Sequence, residues 1–407
     1  MFYFVVGFRN IIKNFRRSLF TMISIVIGMI ACLLTQGFFH WNLDQLRESM
    51  IRGGIGHYQL YARGFSQSGM DNPYDYLIRD AAPILKELRA IPGVELVTAR
   101  MAFSGILSAG DKSTVVTGEA GNSENETRLN AYAGLIRGAR LSSETPYGIV
   151  VGDGVARKLS VTTGDTVTLL GTMRGGVINA VDLETVGITR SGVPELDNVA
   201  ASTSLEVVQN LLDIGGSVQK IVVLLKNTGD TPKILPRIER IAHKYRLEHR
   251  DWETLAEFYR SLKVMYDVVF YIVILIVLAI VTFTISNTVN MNLNDRVREI
   301  GTLRALGTRR IQVAWIFIAE SGLIGMIGGI IGVIASYLFI GVTVVIGGLP
   351  VLLKGAEQSR WVRVYFHPDG IWIALCIALF VLVAMIASAI PARRASRISI
   401  TEALRWI

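Results

Sequence analysis

Residues 268–294 read VVFYIVILIVLAIVTFTISNTVNMNLN, 27 residues without Asp, Glu, Lys or Arg between Asp267 and Asp295. About 20 apolar residues carry a helix across the ~30 Å hydrocarbon layer of a bilayer, so this run suffices for one crossing. Three more runs of the same kind lie outward from it. No Asp, Glu, Lys or Arg separates Arg17 from Asp44, Glu320 alone interrupts Ile311–Leu353, and 370–392 is again uncharged. The third run is long, but Gly347-Gly-Leu-Pro350 should end a single tilted helix there. The expected fold is a membrane protein of four transmembrane α-helices, 18–40, 268–290, 312–346 and 370–391. A large α+β extracytoplasmic domain, 41–267, is inserted between helices 1 and 2, and a short loop, 347–369, joins helices 3 and 4.

Charge orients these crossings. Thirteen basic residues flank them on one side: Arg9, Lys13, Arg16 and Arg17; Arg296, Arg298, Arg304, Arg309 and Arg310; Arg393, Arg394, Arg397 and Arg405. Only Asp295, Glu299 and Glu402 oppose them there, whereas 41–267 holds 25 basic and 27 acidic residues. The formal charge of +8 therefore sits almost wholly on one face, which the positive-inside rule makes the cytoplasm. A surplus placed this way answers a membrane requirement and removes the argument for a nucleic-acid partner. Both termini, the connection 291–311 and the tail 392–407 are expected inside, and 41–267 outside. The first apolar run is too long for a signal peptide and no small-x-small cleavage site follows it, so it reads as an uncleaved anchor. Before it, Phe2, Val5, Phe8, Ile11, Ile12 and Phe15 alternate with basic residues, which suggests an amphipathic interfacial helix over 1–17.

Within 41–267 the spacing predicts strands over His57–Ala62, Val94–Ala102, Gly148–Gly152, Ile178–Ile188 and Val218–Leu225, and helices over Pro83–Ala90, Asp153–Leu159, Ser204–Leu212 and Pro232–Tyr245. The stretch 125–215 reads as a central insertion. Catalytic chemistry is not legible. His40, His57, His243, His249 and His367 form no HExxH and have no cysteine nearby, so no metal site is expected. Cys32 and Cys376 fall inside predicted membrane helices, which leaves the outer domain without a disulfide. Gly105-Ile-Leu-Ser-Ala-Gly-Asp-Lys-Ser113 imitates a phosphate loop, but it has one residue too many before Lys112 and no strand–loop–helix context. Asn125-Glu-Thr127 matches a glycosylation sequon, a tripeptide common by chance. No cofactor of its own is expected, and any ATP-driven role needs its motor on another chain.

Two stretches carry functional signal. Asp295-Arg-Val-Arg-Glu-Ile-Gly-Thr-Leu-Arg-Ala-Leu-Gly307 is charged, helix-compatible and closed by a glycine. Ile300, Leu303 and Leu306 are expected to share one face, with Arg298, Glu299 and Arg304 presented elsewhere, around Gly301 and Ala305. Such a knob between two membrane helices suits a groove on a cytosolic partner; the plainer reading is a solvated loop. Further on, Gly325 with Gly329 and Gly328 with Gly332 give two overlapping small-xxx-small spacings, the pattern of close helix–helix approach in lipid. Glu320 is the lone acid of that run and is expected to face protein or the headgroups, in a structural or coupling role.

These residues carry a resemblance. The block Arg298-Glu-Ile-Gly-Thr-Leu-Arg-Ala-Leu-Gly307 resembles the cytoplasmic loop of the FtsX/MacB-like permeases of ABC systems. Glu320-Ser-Gly-Leu323 with its Gly-Gly is similar to their third membrane helix, and Ile390-Pro-Ala-Arg-Arg-Ala…Thr401-Glu-Ala-Leu-Arg405 to their tail, with Ser399 where proline is commonest. Arg9-Asn-Ile…Arg16-Arg-Ser-Leu-Phe-Thr21 and Gly56-His-Tyr-Gln-Leu60 look like the lipoprotein-releasing branch. The resemblance implies mechanotransmission in a bacterial inner membrane. Two permease copies, identical or sister subunits, stand beside a cytosolic ABC ATPase dimer that holds the ATP and Mg. The loop from Arg298 to Gly307 would pass ATPase motion to the membrane helices, and the Gly325–Gly332 stretch would pack helices or form the dimer interface. Cargo would be a lipoprotein or other lipidated molecule outside the membrane, with a periplasmic lipoprotein or adaptor and membrane lipids as further partners. Two alternatives stay open: efflux of drugs or peptides with an adaptor and an outer-membrane duct, and signalling to a periplasmic enzyme.

Overall fold

The first helix, α1 (Phe15–Met50), begins where the first apolar run begins and continues past it. Its 36 residues rise ~54 Å, well beyond the hydrocarbon thickness, so the helix is longer than one crossing needs. A π-turn over Ile51–Ile55 closes it, with Gly54 at φ 138° and Gly56 at φ 71°, conformations that L side chains rarely adopt. The computed structural model describes Arg9 and residues 15–69, 73–129, 134–173, 176–191, 194–354 and 359–396. The expected interfacial helix 1–17 therefore lies almost entirely outside the described residues, as does the tail beyond Ser396.

Residues 45–260 form one unit. In chain order its main elements are β1 (Tyr58–Ala62), α2 (Ala82–Arg89), β2 (Val94–Ala109), β3 (Lys112–Gly121) and α3 (Ser123–Leu129). Then follow β4 (Gly134–Gly138), β5 (Gly148–Gly152), α4 (Asp153–Leu159), β6 (Thr166–Thr172), β7 (Ile178–Arg190) and β8 (Ala200–Ser204). The last are α5 (Leu205–Leu212), β9 (Lys220–Leu225), α6 (Thr231–Lys244) and β10 (Leu247–Asp251). The strands lie in the order β10-β1-β9-β2-β3-β8-β5-β7-β4, and β6 pairs with both β2 and β7. That double pairing closes β2, β3, β8, β5, β7 and β6 into a ring. All ladders are antiparallel except β3 with β8 and β5 with β7.

The 16-residue strand β2 serves two cores. Its first half pairs with β9 and packs Val97 and Ala99 with Tyr58, Leu60, Leu88, Ile221, Val223 and Ile238. Its second half places Met101, Phe103 and Leu107 in the ring with Val116, Ile149, Val155, Leu169 and Leu211. The insertion expected over 125–215 lies within the stretch that builds this second core. Strand β9, KIVVLL, is buried at every position. Ile221, Val223 and Leu225 point into the first core, and Leu224 points the other way, toward Ile51, Leu96 and Trp252. Two covered faces explain why this strand is a continuous apolar run without alternation.

The other unit contains α1 up to Asp44, α7 (Glu257–Asp295) from Ser261 on, α8 (Val297–Ala305), α9 (Arg310–Val345), a hairpin β11 (Leu349–Lys354) with β12 (Ser359–Val364), and α10 (Gly370–Ala395). Four helices, α1, α7, α9 and α10, are long and apolar enough to cross a membrane. Their shared core holds Ile25, Met29, Val281, Ile285, Phe317, Ile324, Phe380 and Ala384. The stretch expected as a plain loop after helix 3 is the hairpin, entered through Gly347 and Gly348 at φ 75° and 95°. The Gly347 carbonyl accepts from Arg363 Nη1 at 2.8 Å and the Tyr365 hydroxyl at 2.9 Å. Asp369 caps α10, its carboxylate accepting the Ile371 N–H at 3.0 Å.

Candidate functional site

Helix α8 follows α7 after a single break at Arg296 and is nine residues long. Its end is set by Gly307, at φ 94°, with the Thr308 N–H on the Leu303 carbonyl at 3.1 Å. Val297, Ile300 and Gly301 are buried at i, i+3 and i+4, and Ile300 belongs to the core of the membrane bundle. The expected common face of Ile300, Leu303 and Leu306 is therefore split. Ile300 is 3% exposed and Leu306 80%, with Leu303 half-buried between them. Steps of three drift around a helix by about 60° each, so the inward stripe starts one turn earlier than the apolar spacing suggests. The outward face carries Arg298, Glu299, Thr302, Ala305 and Leu306, with Arg304 half-buried at its edge.

Arg296, counted in the sequence only as a positive charge, is the residue that ties this helix to the bundle. Its Nε donates to Glu299 at 2.7 Å and its Nη1 to Glu320 at 3.4 Å, while its guanidinium lies 5.3 Å from the Phe317 ring centre. Glu320 is 4% exposed, so it faces protein and has a cationic partner. One side chain thus bridges α8, through Glu299, and α9, through Glu320 and Phe317. Beside it lies a cavity of about 10 Å³, room for one water molecule, lined by Thr21, Thr288, Asn292, Glu320 and Ser321. The Thr21 hydroxyl donates to Thr288 at 2.9 Å, linking α1 to α7 at the same depth.

The glycines of α9 mark close approaches to helices of the same chain. A Cβ on Gly332 would lie 2.6 Å from Met29 Cβ, and one on Gly328 3.0 Å from Ile25 Cγ2, both on α1. Gly325 faces α10, where an added Cβ would be 3.0 Å from Ala384 Cβ; Gly329 is looser, 3.5 Å from Met29 Cε. Two further glycines act alike. Gly322 meets Met385 at 3.1 Å, and Gly28 on α1 meets Val277 at 2.8 Å and Phe380 at 3.1 Å.

The Gly56-His-Tyr-Gln segment is the joint where α1 enters the outer domain. A Cβ on Gly56 would collide with Val222, and the backbone there is left-handed. His57 is wholly buried. Its Nδ1 accepts the Leu225 N–H at 3.0 Å, which puts the proton on Nε2, 3.0 Å from the Thr228 hydroxyl. Thr228 in turn donates to Glu48, on α1, at 2.6 Å. Burial pushes the His57 pKa down to about 4, so the ring is neutral. Gln59 Nε2 donates to the Ile55 carbonyl at 2.7 Å and Arg100 Nη1 to the Gly54 carbonyl at 2.6 Å. Those carbonyls belong to the π-turn, whose shifted register orphans acceptors that these side chains satisfy. Arg100 also grips Glu126 with two bonds of 2.6 Å; both side chains are buried, and burial raises the Glu126 carboxyl against the pull of the guanidinium.

The phosphate-loop imitation is the β2–β3 hairpin: Gly110 and Asp111 are its turn, with Ala109 opposite Lys112. No helix follows it to supply the amide cradle such a loop needs. Among the described residues no group of three His, Cys, Asp or Glu could hold a metal ion.

The family model for a MacB-like periplasmic core domain matches residues 18–241, and that for the FtsX-like permease C-terminal region matches 271–400. An uncharacterized ABC transporter permease of Methanocaldococcus jannaschii is 26% identical over an alignment covering 98% of this chain and 96% of that protein. The lipoprotein-releasing system transmembrane protein LolC of Neisseria meningitidis is 24% identical over 64% of this chain and 65% of its own length. The periplasmic region of MacB from Actinobacillus actinomycetemcomitans aligns with 51% of this chain and 94% of that structure, at 15% identity and a TM-score of 0.37. With four membrane helices, the inserted domain between the first two, and a core-domain match over more than half its length, the chain belongs to the MacB/FtsX-like family of ABC transporter permeases.

Proposed function

We propose that this permease works by mechanotransmission, relaying the motion of a separate cytosolic ATPase dimer to its outer domain to extract lipoproteins or similar lipidated cargo. The observation that carries this is the Arg296 bridge: a short helix outside the membrane run, with Leu306 exposed, is locked through one guanidinium to a buried acid of α9. A push on α8 therefore moves α9 rather than bending a loop. Further on, the His57, Gln59 and Arg100 bonds fasten the chain that follows α1 to the sheet, so that a displacement of this segment is carried into β1, β9 and β2. Two permease copies, or this chain and a sister, flank the ATPases in the inner membrane, with both termini in the cytoplasm. ATP and Mg are held by the partner, where hydrolysis takes place.

The lipoprotein cargo is supported by the Gly-His-Tyr-Gln joint and by the name of the Neisseria relative. The test is ATP hydrolysis by the reconstituted complex in lipid with and without added acylated lipoprotein. Stimulation that requires the acyl chains supports this cargo. A flat response, or co-purification with a periplasmic adaptor instead, removes it in favour of efflux and leaves the relay intact.

A further inference from the structure

Where α9 meets α10, at the end of the bundle nearest α8, one face of the bundle is hollow. The groove has a volume of about 710 Å³, within the range of small-molecule sites, about 300–1,000 Å³. Its floor exists because Ala319 and Gly322 have almost no side chains, and its walls are apolar: Leu323 and Met326 on α9, Val381 and Met385 on α10. From Arg309 to Met326 it follows α9 for about 25 Å, the depth of one leaflet with its headgroups. The mouth is different in kind. Arg309 lines it and is exposed, its chain neighbour Arg310 is exposed as well, and among the described residues no ion pair joins either to an acid. Gln312 accepts the Arg309 backbone N–H at 2.8 Å through Oε1, leaving its NH2 to donate. Trp315, 48% exposed, lies a turn and a half deeper, at the level where indole rings favour the membrane interface.

We infer that this groove holds one acyl chain of an anionic phospholipid, whose phosphate sits at Arg309, with the exposed Arg310 next to it in the chain. The polarity gradient selects the ligand. A bare transmembrane helix of a second copy would leave the Arg309 cation at the mouth unanswered, whereas a phospholipid of net negative charge matches cation, donor and apolar channel in one molecule. Each arginine near an anionic headgroup favours it by about 1 kcal/mol, close to fivefold per residue.

The test is native mass spectrometry of the full-length chain offered equal amounts of phosphatidylglycerol and phosphatidylethanolamine in mixed micelles. Wild type should retain phosphatidylglycerol roughly tenfold or more over phosphatidylethanolamine, and Arg309→Gln with Arg310→Gln should bring that ratio near one. Ala319→Phe, which fills the floor and keeps both arginines, should reduce retention of either lipid about fivefold. Should Ala319→Phe fail to fold, photo-methionine at Met385 in the wild-type chain replaces it and should capture lipid. Equal retention of the two lipids by wild type, a ratio unmoved by the arginine substitutions, or capture of a second copy from Met385 overturns the proposal.

Discussion

Gly332→Ala places a methyl group where α1 already stands. The new Cβ would lie 2.6 Å from Met29 Cβ, 2.9 Å from Met29 Cγ and 3.2 Å from the Val26 carbonyl oxygen. Met29 cannot swing clear, because the nearest atom is its own Cβ, so α1 and α9 must part. Overpacking of this kind costs about 1–3 kcal/mol. Gly329→Ala, three residues earlier, is the internal control. Its Cβ would meet only the tip of Met29 at 3.5 Å and Ile377 at 3.8 Å, which is ordinary contact. Both substitutions gain the same helix propensity, roughly 1 kcal/mol, so that contribution cancels in the comparison. The two variants should differ by about 2 kcal/mol, roughly thirtyfold in the folded-to-unfolded ratio, with Gly329→Ala the more stable. Titrating the purified chain from mild detergent into SDS, followed by circular dichroism, gives both midpoints. Equal midpoints, or Gly332→Ala above Gly329→Ala, would refute the packing argument.

Arg296→Gln should leave membrane insertion and ATP hydrolysis in the complex largely intact while transport per ATP falls about tenfold, since charge-assisted bonds worth ~1.5–3 kcal/mol are lost on both sides of the bridge; unchanged cargo per ATP contradicts that role. Glu126→Leu leaves the buried Arg100 only Glu119, 3.5 Å away, and the Gly54 carbonyl, and should cost the outer domain about 3–5 kcal/mol, part of it recovered when Arg100→Met is added at the expense of the Gly54 bond. Hydrogen exchange at β2 and α3 reads both, and a double variant no better than the single one disproves the pairing argument. His57 supplies a pH dependence. Its pKa is about 4 in the folded domain and about 6.5 unfolded, so below the unfolded value the unfolded chain binds the proton more tightly. The stability contributed by the neutral ring is present above pH 6.5 and is lost as pH falls toward 4, to a total of about 3 kcal/mol. Measured as wild type minus His57→Gln by denaturant titration, a difference that does not change between pH 7 and 4.5 rejects this account.

Periodicity served well where one element obeys one rule. Gly148–Gly152 and Asp153–Leu159 stand where spacing placed them, because an unbroken apolar run and an i, i+3 pattern leave little choice. Strand β8, Ala-Ala-Ser-Thr-Ser, has no apolar side chain larger than Ala and exists only because β3 and β5 lie on either side of it. Strand β10, Leu-Glu-His-Arg-Asp, is an edge strand half-buried throughout, and its charges hid it. Apolar spacing alone does not give the α8 face, because Val297 and Gly301, rather than Leu303 and Leu306, complete the buried stripe with Ile300. The role of Arg296 is not legible locally, because its partner Glu320 is 24 residues away and on another helix. The glycine pairs of α9 were visible in spacing, but which helices they touch depends on Met29 and Ala384, which no local pattern names. The Gly-His-Tyr-Gln joint was legible as a motif only; its physics needs Glu48, Leu225 and Thr228 brought together by the sheet.

The relay itself is tested most directly at Leu306, which is 80% exposed at the end of α8. A photo-crosslinking residue placed there in the intact complex in cells should capture an ABC ATPase subunit. The same residue at Leu338, 68% exposed on α9 within the apolar run, should capture none. An adduct at Leu306 with an extracytoplasmic protein, or no nucleotide-binding protein among its adducts, would contradict the account.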